Sequence, residues 1–276
     1  MSQTSNTDKL YPIKYDPDFM VVTANDLIKG RQKMTKREAE LLFVAMAQVV
    51  KEDKDFKTYT TTIPELARFM GVTPEALYPD IKKICRNLLS RVVEVQVGGE
   101  NAGEKTKWRM FQWVNCAEYE NGRLTIRLAD DIKPYMLELA SYYNQARLSV
   151  LCSFSSYYAT RLYQIISCDI GQSLGNKDVW TFSCTEIREL FQTEHQYKLN
   201  RDLINRTIKV AIDELRRSDY IYIWDYKELK GRTKGNPLIG VSFRACLCKN
   251  KEEKDKFVNV VLPTIKRLYP EDYPDG

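Results

Sequence analysis

The chain has 276 residues, with 42 Lys+Arg against 37 Asp+Glu, seven Cys and a single His. At about 100–200 residues per domain this length suggests two domains or one large one. A content of 43% hydrophobic and 11% aromatic residues excludes a chain disordered by composition. His195 as the one imidazole excludes any site that needs two, and a net charge of only +5 means a nucleic-acid surface must come from local clustering.

No apolar run in the first 19 residues has signal-peptide length, and nothing elsewhere approaches the roughly 18 apolar residues of a membrane span. Residues 1–19 and 251–276 read as flexible or docking tails. The cysteines (85, 116, 152, 168, 184, 246 and 248) are odd in number and scattered, mostly within apolar-periodic segments. They read as small buried hydrophobes of a cytoplasmic protein. Cys246 and Cys248 sit at a strand end with both thiols on one face, yet two thiolates do not make a zinc site. No metal and no cofactor is expected.

In chain order, Thr35-Lys-Arg-Glu38 is a capping-box pattern before a strongly apolar helix, EAELLFVAMAQVV. Residues 58–63 are a mostly β-branched run and predict a short strand; PELARFMG predicts a helix started by Pro64 and stopped by Gly71. A second helix is expected over residues 79–90, where Ile81, Ile84, Cys85, Leu88 and Leu89 keep helical spacing. A strand at 92–97, a polar tip GGENAGEKTK and a strand at 108–118 follow. Glu120-Asn-Gly-Arg123 then turns a hairpin into LTIRLA, and DDIKPYMLEL predicts a helix. Helix, turn, helix and hairpin is the order of a winged helix.

The same order returns: a strand at 180–184, a short helix from Thr185, a longer helix over 200–217, a strand at 220–224, the basic tip KELKGRTKGNP and the strand LIGVSFRA. Leu66, Phe69 and Met70 match Ile187, Leu190 and Phe191; with a six-residue insertion, Ile81, Cys85 and Leu88 match Ile208, Ile212 and Leu215. The fold class is therefore α+β, two tandem winged-helix domains with pseudo-two-fold similarity. The expected domains are 20–140 and 150–250, joined near residues 141–153, with SSYYATRLYQII belonging to the second.

Residues 198–234 hold ten basic and six acidic residues, nearly the whole charge excess of the molecule. Lys198, Asn200, Arg201, Asn205, Arg206 and Lys209 fall on or beside the second helix, and Lys230, Arg232 and Lys234 at the hairpin tip. The first domain offers Lys82, Lys83, Arg86 and Asn87 on its helix, and Lys105, Lys107 and Arg109 on its tip. Basic side chains suit phosphates and guanine, Asn suits adenine, and the major groove admits a helix carrying them. A bland alternative is a solvated helix face, with Asp213 and Glu214 pairing Arg216 or Arg217 on the surface.

Enzyme motifs are weak. GGENAGEKT falls one residue short of a phosphate loop, because Glu104 separates Gly103 from Lys105, and it lies between strands. His195 has no matching nucleophile motif. Most of the 17 tyrosines fall in apolar stripes, among them Tyr157, Tyr158 and Tyr163, which read as core or interface.

VVTANDLIKGRQKMTKREAELLFVAMAQV resembles the start of the plasmid replication initiator (Rep) family, whose members bind direct repeats called iterons. SSYYATRLYQII is similar to that family's helix opening the second winged-helix domain. LNRDLINRTIKVAIDELRRSDYIYIWDYKELKGR resembles its second recognition helix and wing, and the likeness spans about residues 20–247. The resemblance implies double-stranded DNA binding at a plasmid origin, no catalytic site, and theta-type replication through host proteins such as a helicase or initiator. It also implies a monomer that initiates and a homodimer, formed through the first domain, that represses its own gene. Contact roles carry over to Arg201, Asn205, Arg206 and Lys209, and to Lys82, Lys83 and Arg86 in the first domain, whose recognition helix departs most from the family. A two-winged-helix transcriptional regulator and a tyrosine nickase remain as alternatives.

Overall fold

A computed structural model of the chain describes residues 9–97, 107–137, 139, 141–233, 235–268 and 270. The first domain is built around α2 (Lys36–Met46), in which every residue from Glu38 to Met46 is buried. The expected capping box starts it: Thr35 Oγ1 accepts from the Glu38 amide (3.3 Å), and Glu38 Oε2 accepts from the Thr35 amide (2.9 Å). Around it lie β1 (Leu10–Pro12), β2 (Met20–Ala24), α1 (Asn25–Lys29), β3 (Thr58–Thr62), α3 (Ile63–Phe69), α4 (Pro74–Ser90), β4 (Val92–Gln96), β5 (Trp108–Gln112), β6 (Val114–Glu120) and β7 (Arg123–Leu128). A 3-10 turn (Asp130–Tyr135), β8 (Tyr143–Arg147) and α5 (Leu148–Ser153) complete it.

α6 (Tyr157–Gln172) follows, then the second winged helix: β9 (Val179–Ser183), α7 (Cys184–Phe191), α8 (Asn200–Arg206), α9 (Ile208–Arg217), β10 (Ile221–Lys230) and β11 (Leu238–Leu247). α10 (Lys251–Lys256), a π-helical turn (Phe257–Val261) and α11 (Leu262–Leu268) form the tail. The two halves share a local device. The strand before each helix-turn-helix ends in a capping box, Thr62 with Glu65 and Ser183 with Glu186, at equivalent positions. They differ in sheet order. In the second unit the wing strands join the entry strand as β10-β11-β9, whereas in the first β4–β5 stands as a separate pair and β3 joins β1-β3-β7-β6.

Several elements depart from the expectations. α4 starts at Pro74, five residues early, because Thr73 supplies the cap and Pro74 an N-terminal position; Pro79 is tolerated one turn further in. The strand expected over 108–118 is two strands, since the chain changes sheets at the buried Trp113. Asp130 begins only a 3-10 turn, because Pro134 has no N–H with which to continue a helix. Residues 143–147 of the expected join are instead β8, antiparallel to β2, a polar strand without the alternation that reveals one. The helix expected over 200–217 breaks at Thr207, whose hydroxyl donates to the Leu203 carbonyl (2.6 Å).

At the N-terminus, β1 pairs in parallel with β3, Ile13 is buried, and the Tyr15 and Thr61 hydroxyls are 2.6 Å apart. At the other end Lys254 donates to the carbonyls of Arg216 (2.7 Å) and Ser218, and Phe257 packs on Tyr222 and Trp224. One apolar core runs through both units, and α6 lies at their seam. Its Arg161, with 0% of its surface exposed, donates to the Ile28 (2.6 Å) and Gly30 (3.0 Å) carbonyls at the end of α1. Tyr157 donates to Gln32 (3.0 Å) on the same segment.

Candidate nucleic-acid interface

Two buried stripes fix the orientation of the second helix-turn-helix. Leu203 and Ile204 of α8 and Ile208, Ala211, Ile212 and Leu215 of α9 face the core. Arg201, Asn205, Arg206 and Lys209 are thereby left exposed on the opposite side, with Lys198 exposed just before α8. The Arg206 guanidinium lies over the Tyr197 ring, 6.0 Å from its centroid, which limits the orientations open to that cation.

The start of α8 and the wing enclose an open cleft of about 740 Å³. Lys198, Arg201 and Lys230 line it together with Glu228, Asn236 and Pro237. Long-range β pairing thus brings Lys230 beside a helix that ends 24 residues earlier, at Arg206. Arg232 is exposed at the wing tip; Lys234 lies outside the described residues.

Asn200 lines the cleft and also ties its walls together. Its Nδ2 donates to the Leu238 carbonyl (2.7 Å), and its Oδ1 accepts from Arg188 (3.1 Å), so its amide joins α8 to β11 and α7. Beside it β11 pairs with β9, and where Gly240 stands opposite Ser183 the strands are so close that a Cβ on the glycine would stand 2.3 Å from the Phe182 carbonyl oxygen.

In the first unit Lys82, Lys83 and Arg86 are exposed on α4. Lys82 and Arg86 border a groove of about 630 Å³ against β6, with Ile81, Cys85 and Leu89 along it and Tyr78 and Tyr119 at its sides. Asn87 again serves the scaffold: its amide donates to Glu38 Oε1 (3.0 Å). Arg91 adds two bonds to the Glu38 carboxylate, of 2.8 and 3.0 Å. Burial would push the Glu38 carboxyl up, but Arg91, the Thr35 amide and Asn87 outweigh it and hold the group below its ordinary value. This buried carboxylate fixes the end of α4 on α2. Lys107 and Arg109 are exposed on the wing, whereas Lys105 and the tip from 98 to 106 lie outside the described residues.

Other expectations sort themselves by position. His195 is exposed in the turn between α7 and α8. Asp213 lies 3.8 Å from Arg216, but among the described residues Glu214 pairs with no arginine; it accepts from the amides of Ser155 and Ser156 (3.1 Å to the latter) at the start of α6. Tyr157 and Tyr163 are buried, and Tyr158 packs edge-on to Phe191. Among the described residues no group of three or more His, Cys, Asp or Glu is placed to hold a metal ion, and no helix is long and apolar enough to cross a membrane.

Sequence reasoning missed the seam contacts. Lys29 pairs with Asp169 (3.1 Å), Arg31 with Glu194, and Lys33 donates to the Gln192 carbonyl (3.4 Å). The alternating Lys-Gly-Arg-Gln-Lys of residues 29–33 was the available signal, but its partners lie well over a hundred residues away.

Residues 20–167 match the family model described as initiator replication protein, WH1, and residues 183–245 match that of initiator Rep protein, WH2. The chain belongs to the initiator Rep proteins. A replication initiation protein of Escherichia coli is 25% identical over 186 residues, and the aligned part covers 65% of this chain and 56% of that relative. The crystal structure of Pi initiator protein in complex with iteron DNA shares the fold, with a TM-score of 0.63 at 15% identity over 85% of this chain and 100% of that one. The WH1 match includes α6 through Ser167, the helix expected to open the second domain; in this Rep protein α6 packs on both α1 and α9.

Proposed function

We propose that this Rep protein is a sequence-specific, double-stranded-DNA-binding plasmid replication initiator that acts on direct repeats (iterons) at its origin. The observation that carries the proposal is the cleft in which Lys198 and Arg201 at the start of α8 meet Lys230 of the wing. A helix start presenting basic side chains fits a major groove, while the adjacent wing reaches the flanking phosphates. In this reading Arg201, Asn205, Arg206 and Lys209 face base edges, Lys198, Lys230 and Arg232 face the backbone, and Lys82, Lys83, Arg86 and Lys107 give the first domain its own contact. The Pi initiator, of like fold, is described in complex with iteron DNA.

Binding several repeats in tandem strains the neighbouring duplex, since bending has a sequence-dependent cost. The protein then recruits host replication proteins to the opened origin, acts in the bacterial cytoplasm without catalysing a reaction of its own, and as a homodimer represses its own gene. A plasmid carrying the gene with its flanking repeats tests the initiator role: it should be maintained in a permissive host. Loss of the plasmid despite expression and intact repeat binding would leave a transcriptional regulator. A covalent tyrosyl adduct on supercoiled origin DNA would make the protein a nickase.

A further inference from the structure

The end of α2 and the strands beside it enclose a cleft to which α4, α8 and the two wings contribute no lining residue. Its larger part holds about 450 Å³, and a smaller hollow of about 140 Å³ continues it past Val22, Val49, Val50 and Lys51, which line both. Small-molecule sites span about 300–1,000 Å³ and set a few polar groups among apolar walls. The two parts differ in character. Tyr11, Lys14, Lys57 and Tyr59 belong to the larger part alone, whereas Met136 and Leu139 belong to the smaller, where the shared Lys51 is the one charged residue among those described. We propose that this cleft binds a medium-chain alkyl carboxylate, with its head among the lysines and Tyr59 and its chain running along Val22 and Val50 toward Met136 and Leu139.

The polar end is built for an anion. Among the described residues no carboxylate lines either part. Lys57 pairs with Asp53, but Lys14 and Lys51 have no ion-pair partner among the described residues. Tyr11 and Tyr59 are partners across the β1–β3 ladder, so their rings share a face. The Lys57 ammonium lies 5.4 Å from the centroid of the Tyr11 ring. Tyr59 is 2% exposed, yet among the described residues its hydroxyl has no hydrogen-bond partner. A buried hydroxyl left unpaired is destabilising, and a ligand that pairs it recovers that loss. Burial, Asp53 and Tyr11 hold this phenol above its ordinary value, so at neutral pH it can only donate to a carboxylate, not repel it.

The head reaches Tyr59 when the Lys57 side chain swings off the Tyr11 ring. The phenol then donates to one carboxylate oxygen, and the second is left to the long, flexible side chains of Lys14 and Lys51. The alkyl chain supplies most of the affinity, about fourfold for each methylene that leaves water. Its walls come from separate sheets, with Tyr11 and Tyr59 on β1 and β3 and Met20 and Val22 on β2. The ligand therefore ties these elements together and stabilises the folded chain by mass action.

Titration calorimetry of the full chain with sodium decanoate, kept below its micellar concentration, should give one molecule per chain and a raised thermal midpoint. Octanoate should bind roughly tenfold more weakly, and decyltrimethylammonium should show no saturable binding. Tyr59→Phe keeps the ring, so it should leave the fold and duplex binding intact while lowering decanoate affinity about tenfold. Val50 is 48% exposed at the rim, and Val50→Asp should abolish decanoate binding without lowering the thermal midpoint of the free chain. Decanoate binding unchanged in both variants would place the ligand elsewhere and overturn the proposal. So would equal binding of decyltrimethylammonium, or neither heat nor a thermal shift at millimolar decanoate.

Discussion

Arg201 and Lys230 line one cleft, yet their loss should have different signatures. On the proposed reading, in which Arg201 faces a base edge, Arg201→Ala should cost about 1–3 kcal/mol on the preferred repeat, with little change on unrelated duplex. Lys230→Ala should weaken all duplexes alike and reduce the slope of log K against log salt by about one. A change of sequence preference in Lys230→Ala would refute the wing assignment. In the first unit Glu38 carries a second residue-level prediction. Its carboxyl is held below its unfolded value, so its contribution is complete above that value and is lost as pH falls through the folded one. Arg91→Leu strands the buried carboxylate and should cost about 3–5 kcal/mol at pH 7, and clearly less at about pH 3, by urea unfolding at both. Equal losses at the two pH values would show that Glu38 is not the partner that matters. The arginine and the glutamate were both visible in the sequence, but 53 positions separate them and nothing local pairs them.

Some elements were legible from a local signal, although α4, capped at Thr73, began five residues before its expected start. Thr35 with Glu38 began α2 as expected, and Asn121-Gly122, both at positive φ, made the hairpin turn between β6 and β7. Ser183→Ala should accordingly cost about 1 kcal/mol through loss of the cap on α7, read from the shift in thermal midpoint. Gly240 belongs to a different class. Its alternating neighbours look like an ordinary strand, and only the close approach of the end of β9 at Phe182 and Ser183 explains the glycine. Gly240→Ala should destabilise by about 1–3 kcal/mol and weaken duplex binding, because β11 cannot then approach Ser183 and the wing shifts away from α8. Unchanged stability would mean that β9 yields easily. β8 was missed for the opposite reason: its pairing with β2 spans more than a hundred residues, and its polar side chains carry no period.

The whole molecule is joined through α6. Arg161 satisfies two carbonyls of the first domain with a fully buried cation, and Glu214 of the second domain caps the same helix. Scanning calorimetry of the wild type should therefore show one transition. Arg161→Ala, which orphans both carbonyls, should cost about 3 kcal/mol and separate the two domains into distinct steps. Two transitions in the wild type would show that the continuous core does not couple them. The modest charge of +5 conceals this arrangement, since basic residues serve both the exposed helix faces and the seam. By itself the sequence determined the repeated helix-turn-helix order, the cap of α2 and the basic helix faces, because periodicity and capping act over a few residues. Only the tertiary structure decided that Asn87 and Asn200 are braces, that Lys230 joins Arg201, and that Arg161 binds the halves, because these depend on partners brought together by long-range packing.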